Sequence, residues 1–165
     1  MPPSLEGLVG RELASELTQA FTRIKHCIDQ LTDDEIWLRP EPQMNSIGNL
    51  LLHLNGNVRQ WIIANLGGEK DIRNRPAEFA ERGPIPSHNL MHQLEATVDE
   101  AKIILETQTA EVWLKGKKIQ HFETTGFGAG LHSVVHFWGH VQEIIHMTRI
   151  ITGAKYKFAF VPPAQ

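Results

Sequence analysis

His132, His136 and His140 follow one another at steps of four residues in the C-terminal part of the chain. Residues four apart on an α-helix are neighbours on one face, so two imidazoles at this spacing can share one divalent ion. Three cannot do so easily, because His132 and His140 lie about 12 Å apart along a helix axis. One adjacent pair, 132/136 or 136/140, must act with a ligand from elsewhere, and spacing alone leaves that choice open. His88 and His92 repeat the same step, so the step by itself is not selective.

A second helix offers the missing ligand. At about 100° per residue, Ser46, Asn49, His53, Asn57 and Gln60 fall in one narrow sector beside an apolar face formed by Ile47, Leu51, Leu54, Val58, Trp61 and Ile62. A polar stripe facing a helical interior needs partners, since each unsatisfied buried group costs about 1–3 kcal/mol. A water-filled or metal-lined cavity between this helix and the histidine helix meets that need. Three neutral imidazoles with solvent positions left over describe a catalytic rather than a structural metal site.

The elements that position these side chains are legible in the apolar periodicity. Leu5, Leu13, Leu17, Phe21, Ile24, Ile28 and Leu31 trace one stripe of a long first helix. Thr32-Asp-Asp-Glu35 has the form of a capping box opening a short helical turn that Pro40 and Pro42 close. The second helix starts at Asn45 or Ser46 and runs to Leu66, before Gly67-Gly68. Residues 69–86 lack periodicity and read as a long surface loop. Ser87 caps a third helix, and 109–127 are irregular with a short extended piece. The last helix starts near Gly128 and ends at Thr152, before Gly153. Weak strand alternation occurs only in Tyr156–Val161. The expectation is an all-α protein, a four-helix bundle with long connecting loops, folded as a single domain over residues 1–165.

Composition narrows the function. The chain has 165 residues, 16 basic and 19 acidic, a formal net charge of -3, and no like-charge block longer than Asp33-Asp34-Glu35. Nucleic-acid affinity depends on clustered Lys and Arg that neutralise phosphates, so that role is not expected. Cys27 is the single cysteine against nine histidines, which leaves no intramolecular disulfide and no cysteine-based zinc cage. Neither a signal peptide nor the ~18 consecutive apolar residues of a membrane span is found, and a cytoplasmic protein is expected. Gly126-Phe-Gly-Ala-Gly130 reads as a helix entry rather than a phosphate cradle, because no convincing strand precedes it and no Lys-Ser/Thr follows. Arg73 and Arg75 read as solvated loop residues, with an anion at the cavity mouth as the other possibility. Cys27 reads as a small buried hydrophobe, and Trp61, Trp113 and Trp138 as core or interface aromatics.

Two segments carry a resemblance: Asn45-Ser-Ile-Gly-Asn-Leu-Leu-Leu-His53-Leu-Asn-Gly-Asn-Val-Arg-Gln-Trp61, and His136-Phe-Trp-Gly-His140-Val-Gln-Glu-Ile144. In order and separation they resemble the DinB/YfiT-like superfamily of metal-dependent enzymes. Within it, the Gly-Asn-x-Arg run after His53 and the Asp71-Ile-Arg-Asn-Arg-Pro-Ala-Glu-Phe79 stretch are similar to a subgroup of uncharacterised domains. The resemblance implies an up-down-down-up bundle, frequent homodimers, and a divalent ion, zinc or nickel, on His53, His136 and His140. It thereby selects 136/140 over 132/136. It also implies a small-molecule substrate, with low-molecular-weight thiols used by the transferases and isomerases among the relatives. Where many relatives continue the last histidine with an Arg-Gly-Gln-Ile-like run, this chain has Val141-Gln142-Glu143-Ile144. Glu143 shares the face of His136 and His140, open to use as a fourth ligand, a general base or a partner of a ligand, and is the candidate for proton handling. The expected function is a metal-dependent enzyme, a hydrolase or an S-transferase; the alternative is a non-catalytic ligand-binding or interaction bundle.

Overall fold

The computed structural model describes residues 4–160. The chain is mostly helical, with one small two-stranded sheet: α1 (Leu5–Ile28), α2 (Asp33–Ile36), α3 (Ile47–Val58), α4 (Arg75–Ala80), α5 (Ser87–Glu106), α6 (Ala110–Leu114), β1 (Gly116–Ile119), β2 (Phe122–Thr125) and α7 (Gly126–Thr152). A π-helical stretch, Arg59–Ala64, prolongs α3. Among the described residues no helix is long and apolar enough to cross a membrane.

Helix starts follow the capping chemistry. The Thr32 hydroxyl accepts from the Glu35 amide at 3.3 Å, and Glu35 accepts in return from the Thr32 amide at 2.8 Å. Ser46, not Asn45, caps α3 through a second reciprocal box with Asn49. Thr125 caps α7, and Gly153 at φ 54 ends it, a left-handed conformation that glycine adopts without strain.

The long helices bury their apolar stripes on one another. α1 and α3 each pack against both α5 and α7. Leu17, Ile24, Leu50, Leu54, Leu94 and Phe137 are fully buried at the centre. Cys27 is buried with them, as expected of a small hydrophobe.

The structure corrects several expectations. The loop over 69–86 contains α4. Ser87 is the first residue of α5 rather than its cap; Pro86 holds the cap position, without a side-chain hydrogen bond. The region 109–127 folds as α6 and an antiparallel hairpin with Gly116 opposite Thr125. Residues 156–160 form no strand, and Val161 lies outside the described residues.

The glycine run 126–130 does follow a strand, but its glycines serve close packing. A Cβ on Gly126 would sit 2.0 Å from the Val112 carbonyl oxygen, a backbone atom that cannot rotate away. We therefore expect Gly126→Ala to destabilise the protein by about 1–3 kcal/mol, the usual cost of overpacking, read as a lower urea midpoint. An unchanged midpoint would show that the α6–α7 junction yields easily.

Candidate metal centre

Each member of the polar stripe on α3 has a defined partner. Ser46 and Asn49 are completely buried. The Asn49 amide nitrogen donates to the carbonyls of Glu78 and Glu81 at 2.9 and 3.0 Å, which fastens α4 to the start of α3. Asn57 accepts from the Ser133 hydroxyl at 3.0 Å and ties α3 to α7, near His136. Gln60 accepts from Arg73 Nη1 at 3.0 Å and from Gln120 at 2.7 Å, and donates to Asp71 at 2.7 Å. Among the described residues no buried side-chain nitrogen or oxygen lacks a partner.

His53 is the centre of the stripe, only 5% exposed. Its Nδ1 lies 2.9 Å from Glu78 Oε2 and 3.1 Å from Arg73 Nη2. An ionised carboxylate only accepts and a guanidinium only donates. A bare Nδ1 lone pair facing the carboxylate would be repelled, so Nδ1 carries the proton and both it and Arg73 donate to Glu78. Burial alone raises the pKa of Glu78, but its hydrogen bonds with Arg73 and His53 overcome that and hold the carboxyl below its ordinary range. The other nitrogen of His53, Nε2, is thereby left with its lone pair, 2.9 Å from Nε2 of His136.

His140 completes the group. Its ring centroid lies 5.1 Å from that of His53 and 4.6 Å from that of His136. One nitrogen of each of the three imidazoles falls within 4.8 Å of the others. The Nδ1 of His140 is 2.8 Å from Glu143 Oε2, one helical turn on, so the pattern seen at His53 recurs: a carboxylate on Nδ1 and a free Nε2. Burial, then the neighbouring His140 and His53, push the pKa of His136 down to about 3. Burial also lowers His53. Both rings are therefore neutral near pH 7, the form in which imidazole binds a metal.

The expected triad is thus brought together, and His132 is left out of it. Its ring stacks on Trp61 at 3.9 Å and runs parallel to His136 at 5.9 Å. His88 and His92 lie on α5 beside a separate cavity shared with Lys25 and Asp29. Glu143 touches His140 and is about half exposed.

Two residues of the site were not foreseen as such. Arg73 is not a solvated loop residue: its side chain is 4% exposed and donates to both oxygens of Glu78, at 2.7 and 2.9 Å. Glu78 itself comes from the unforeseen α4. A local signal for that helix existed, since Asn74 accepts from the Ala77 amide as an N-cap and Pro76 sits in the first turn. Arg75 is exposed, its guanidinium 4.9 Å over the Phe79 ring, and Phe79 packs against His53 at 4.7 Å.

Fold and site together define a helical protein with three clustered histidines able to hold a metal ion. Residues 9–165 match the family described as Protein of unknown function (DUF1572), and the chain belongs to that family. It is similar in fold to a solved structure, the crystal structure of the conserved protein of locus from Enterococcus faecalis. The TM-score is 0.70 at 17% identity, over 86% of this chain and 95% of that one. No curated protein matches the chain.

Proposed function

We propose that this protein is a metal-dependent enzyme of the hydrolase or thiol-transferase kind, with its divalent ion on His53, His136 and His140. The observation that carries this reading is the 2.9 Å approach of two imidazole nitrogens, Nε2 of buried His53 and Nε2 of half-buried His136, the first left with its lone pair because Glu78 holds the ring proton on Nδ1. An N–H···N hydrogen bond satisfies that pair alone. It gives no reason for His140 to join them with its own Nδ1 held by Glu143. Imidazole nitrogens backed by carboxylates are the ordinary donor set for zinc and nickel.

When bound, a divalent ion supplies the Lewis acidity that makes a water or a low-molecular-weight thiol nucleophilic near neutral pH. The protein's own part is then positional. Glu78 and Glu143 orient His53 and His140, and the half-exposed Glu143 carboxylate is the candidate for proton handling. The packing of α1 and α3 against both α5 and α7 supports reading the long helices as an up-down-down-up bundle, and with it the likeness to the DinB/YfiT-like superfamily.

Elemental analysis of protein prepared without a histidine tag or a metal column tests the reading. About one divalent ion per chain is expected in the wild type and in His88→Ala, and a large loss in His136→Ala. No uptake on titration with zinc or nickel, or full retention in His136→Ala, would sink the assignment.

A further inference from the structure

Asp71, Arg73 and Glu78 are all supplied by one segment, residues 71–81, and all reach α3 or the π-helical stretch that prolongs it. Asp71 meets Gln60, Arg73 meets Gln60, and Glu78 meets His53, while Asn49 of α3 holds the carbonyls of Glu78 and Glu81. The charged pair at the centre is a costly way to pin a segment, because the desolvation of two buried ions often exceeds their attraction and apolar packing serves as well. What apolar packing cannot do is orient an imidazole. Arg73 locks both oxygens of Glu78, with Nε on Oε1 and Nη2 on Oε2, so the carboxylate cannot rotate away from His53 Nδ1. A cavity of about 350 Å³ is bordered by the pair together with Leu52, Asn55, Arg59 and Asn74, and by none of the three histidines.

Gly56 is the independent observation. A glycine inside a helix is unfavourable relative to alanine. Here a Cβ would stand 2.1 Å from Glu78 Oε1 and 3.1 Å from Arg73 Nε. The missing side chain is a notch cut for this pair, one turn along α3 from His53.

We propose that the Arg73–Glu78 pair, seated in the Gly56 notch, is a positioning device for the metal, and that docking of residues 71–81 on α3 is coupled to ion occupancy. This rests on the three-histidine reading. The pair holds His53 with Nε2 toward His136 and His140. Because linkage is reciprocal, a docked segment that favours the ion is itself favoured by the ion.

Zinc affinity, measured by competition with a chromophoric chelator, and amide hydrogen exchange with and without zinc test this. Glu78→Ala is expected to weaken zinc by about 10–100-fold, the usual effect of losing a partner behind a ligating histidine. Glu78→Gln keeps an acceptor for Nδ1–H and restores part of that loss, which a purely structural role would not do. Gly56→Ala, which alters neither charge, weakens zinc in the same direction. Zinc raises amide protection across 71–81 in the wild type. Wild-type zinc binding with Glu78→Ala and Gly56→Ala equally tight, or with exchange in 71–81 unchanged by zinc, overturns the positioning role and leaves the triad standing. A wild type that binds no zinc removes the triad itself. Should Glu78→Ala not fold, the wild-type exchange comparison and Glu78→Gln decide the matter.

Discussion

Zinc or nickel added to the metal-free protein is expected to raise its thermal midpoint by about 8–16 °C, and His136→Ala is expected to abolish that rise. A ligand that binds only the folded state at 1,000 times its dissociation constant stabilises by about 4.1 kcal/mol, and each kcal/mol moves the midpoint of a chain this size by about 2–4 °C. The effect is large because the donor nitrogens come from α3 and α7, far apart in the chain, so an unfolded chain does not present them together. His136 is the position to remove. It faces His53 directly, Nε2 to Nε2 at 2.9 Å, a contact that His140 does not make. Differential scanning fluorimetry against a titration of each metal gives the measurement, with His88→Ala as the histidine control. A rise of the same size in His136→Ala would mean the ion sits elsewhere.

The chain displayed its long helices and its polar stripe openly, because both are periodic. The caps at Thr32 and Ser46 are local chemistry and were legible residue by residue. So was the sector holding Ser46, Asn49, His53, Asn57 and Gln60, whose burial the fold bears out. What could not be read was the other half of each contact. Glu78 lies on a helix of six residues, too short for any period to show, and Arg73 carries a charge that by composition alone belongs in solvent. Their burial is a tertiary fact, created where the 71–81 segment meets the Gly56 notch. The histidine spacing has the same limit. His132, His136 and His140 stand at equal steps, and only the place where α3 faces α7 decides that His132 stacks on Trp61 while the other two meet His53. The hairpin at 116–125 escaped for another reason: its strands are four residues each, and the turn carries Gln120 at φ 55 rather than a glycine or asparagine signal.

The burial that makes these histidines good ligands also makes the metal-free protein sensitive to acid. In the unfolded chain an imidazole takes up a proton near pH 6.5, whereas folded His136 resists protonation until about 3. Between those values the unfolded state binds one more proton than the folded state. Stability therefore rises with pH across this window and is lost as pH falls. The slope from one such group is at most about 1.4 kcal/mol per pH unit, reduced by whatever solvent reaches the ring. His53, lowered by burial as well, acts in the same direction. Glu78, held below its ordinary value of 4.5, adds its own loss only at the acid end, where the unfolded carboxylate becomes protonated. The range from pH 6.5 to 5 thus isolates the histidines. Urea midpoints of the metal-free protein at pH 7.5, 6.5, 5.5 and 5.0 should fall progressively below 6.5, and His136→Ala should flatten that fall. Wild-type stability that held constant or increased toward pH 5 would mean that His53 and His136 accept protons where they sit, and that the cluster is not the neutral, metal-ready set its burial implies.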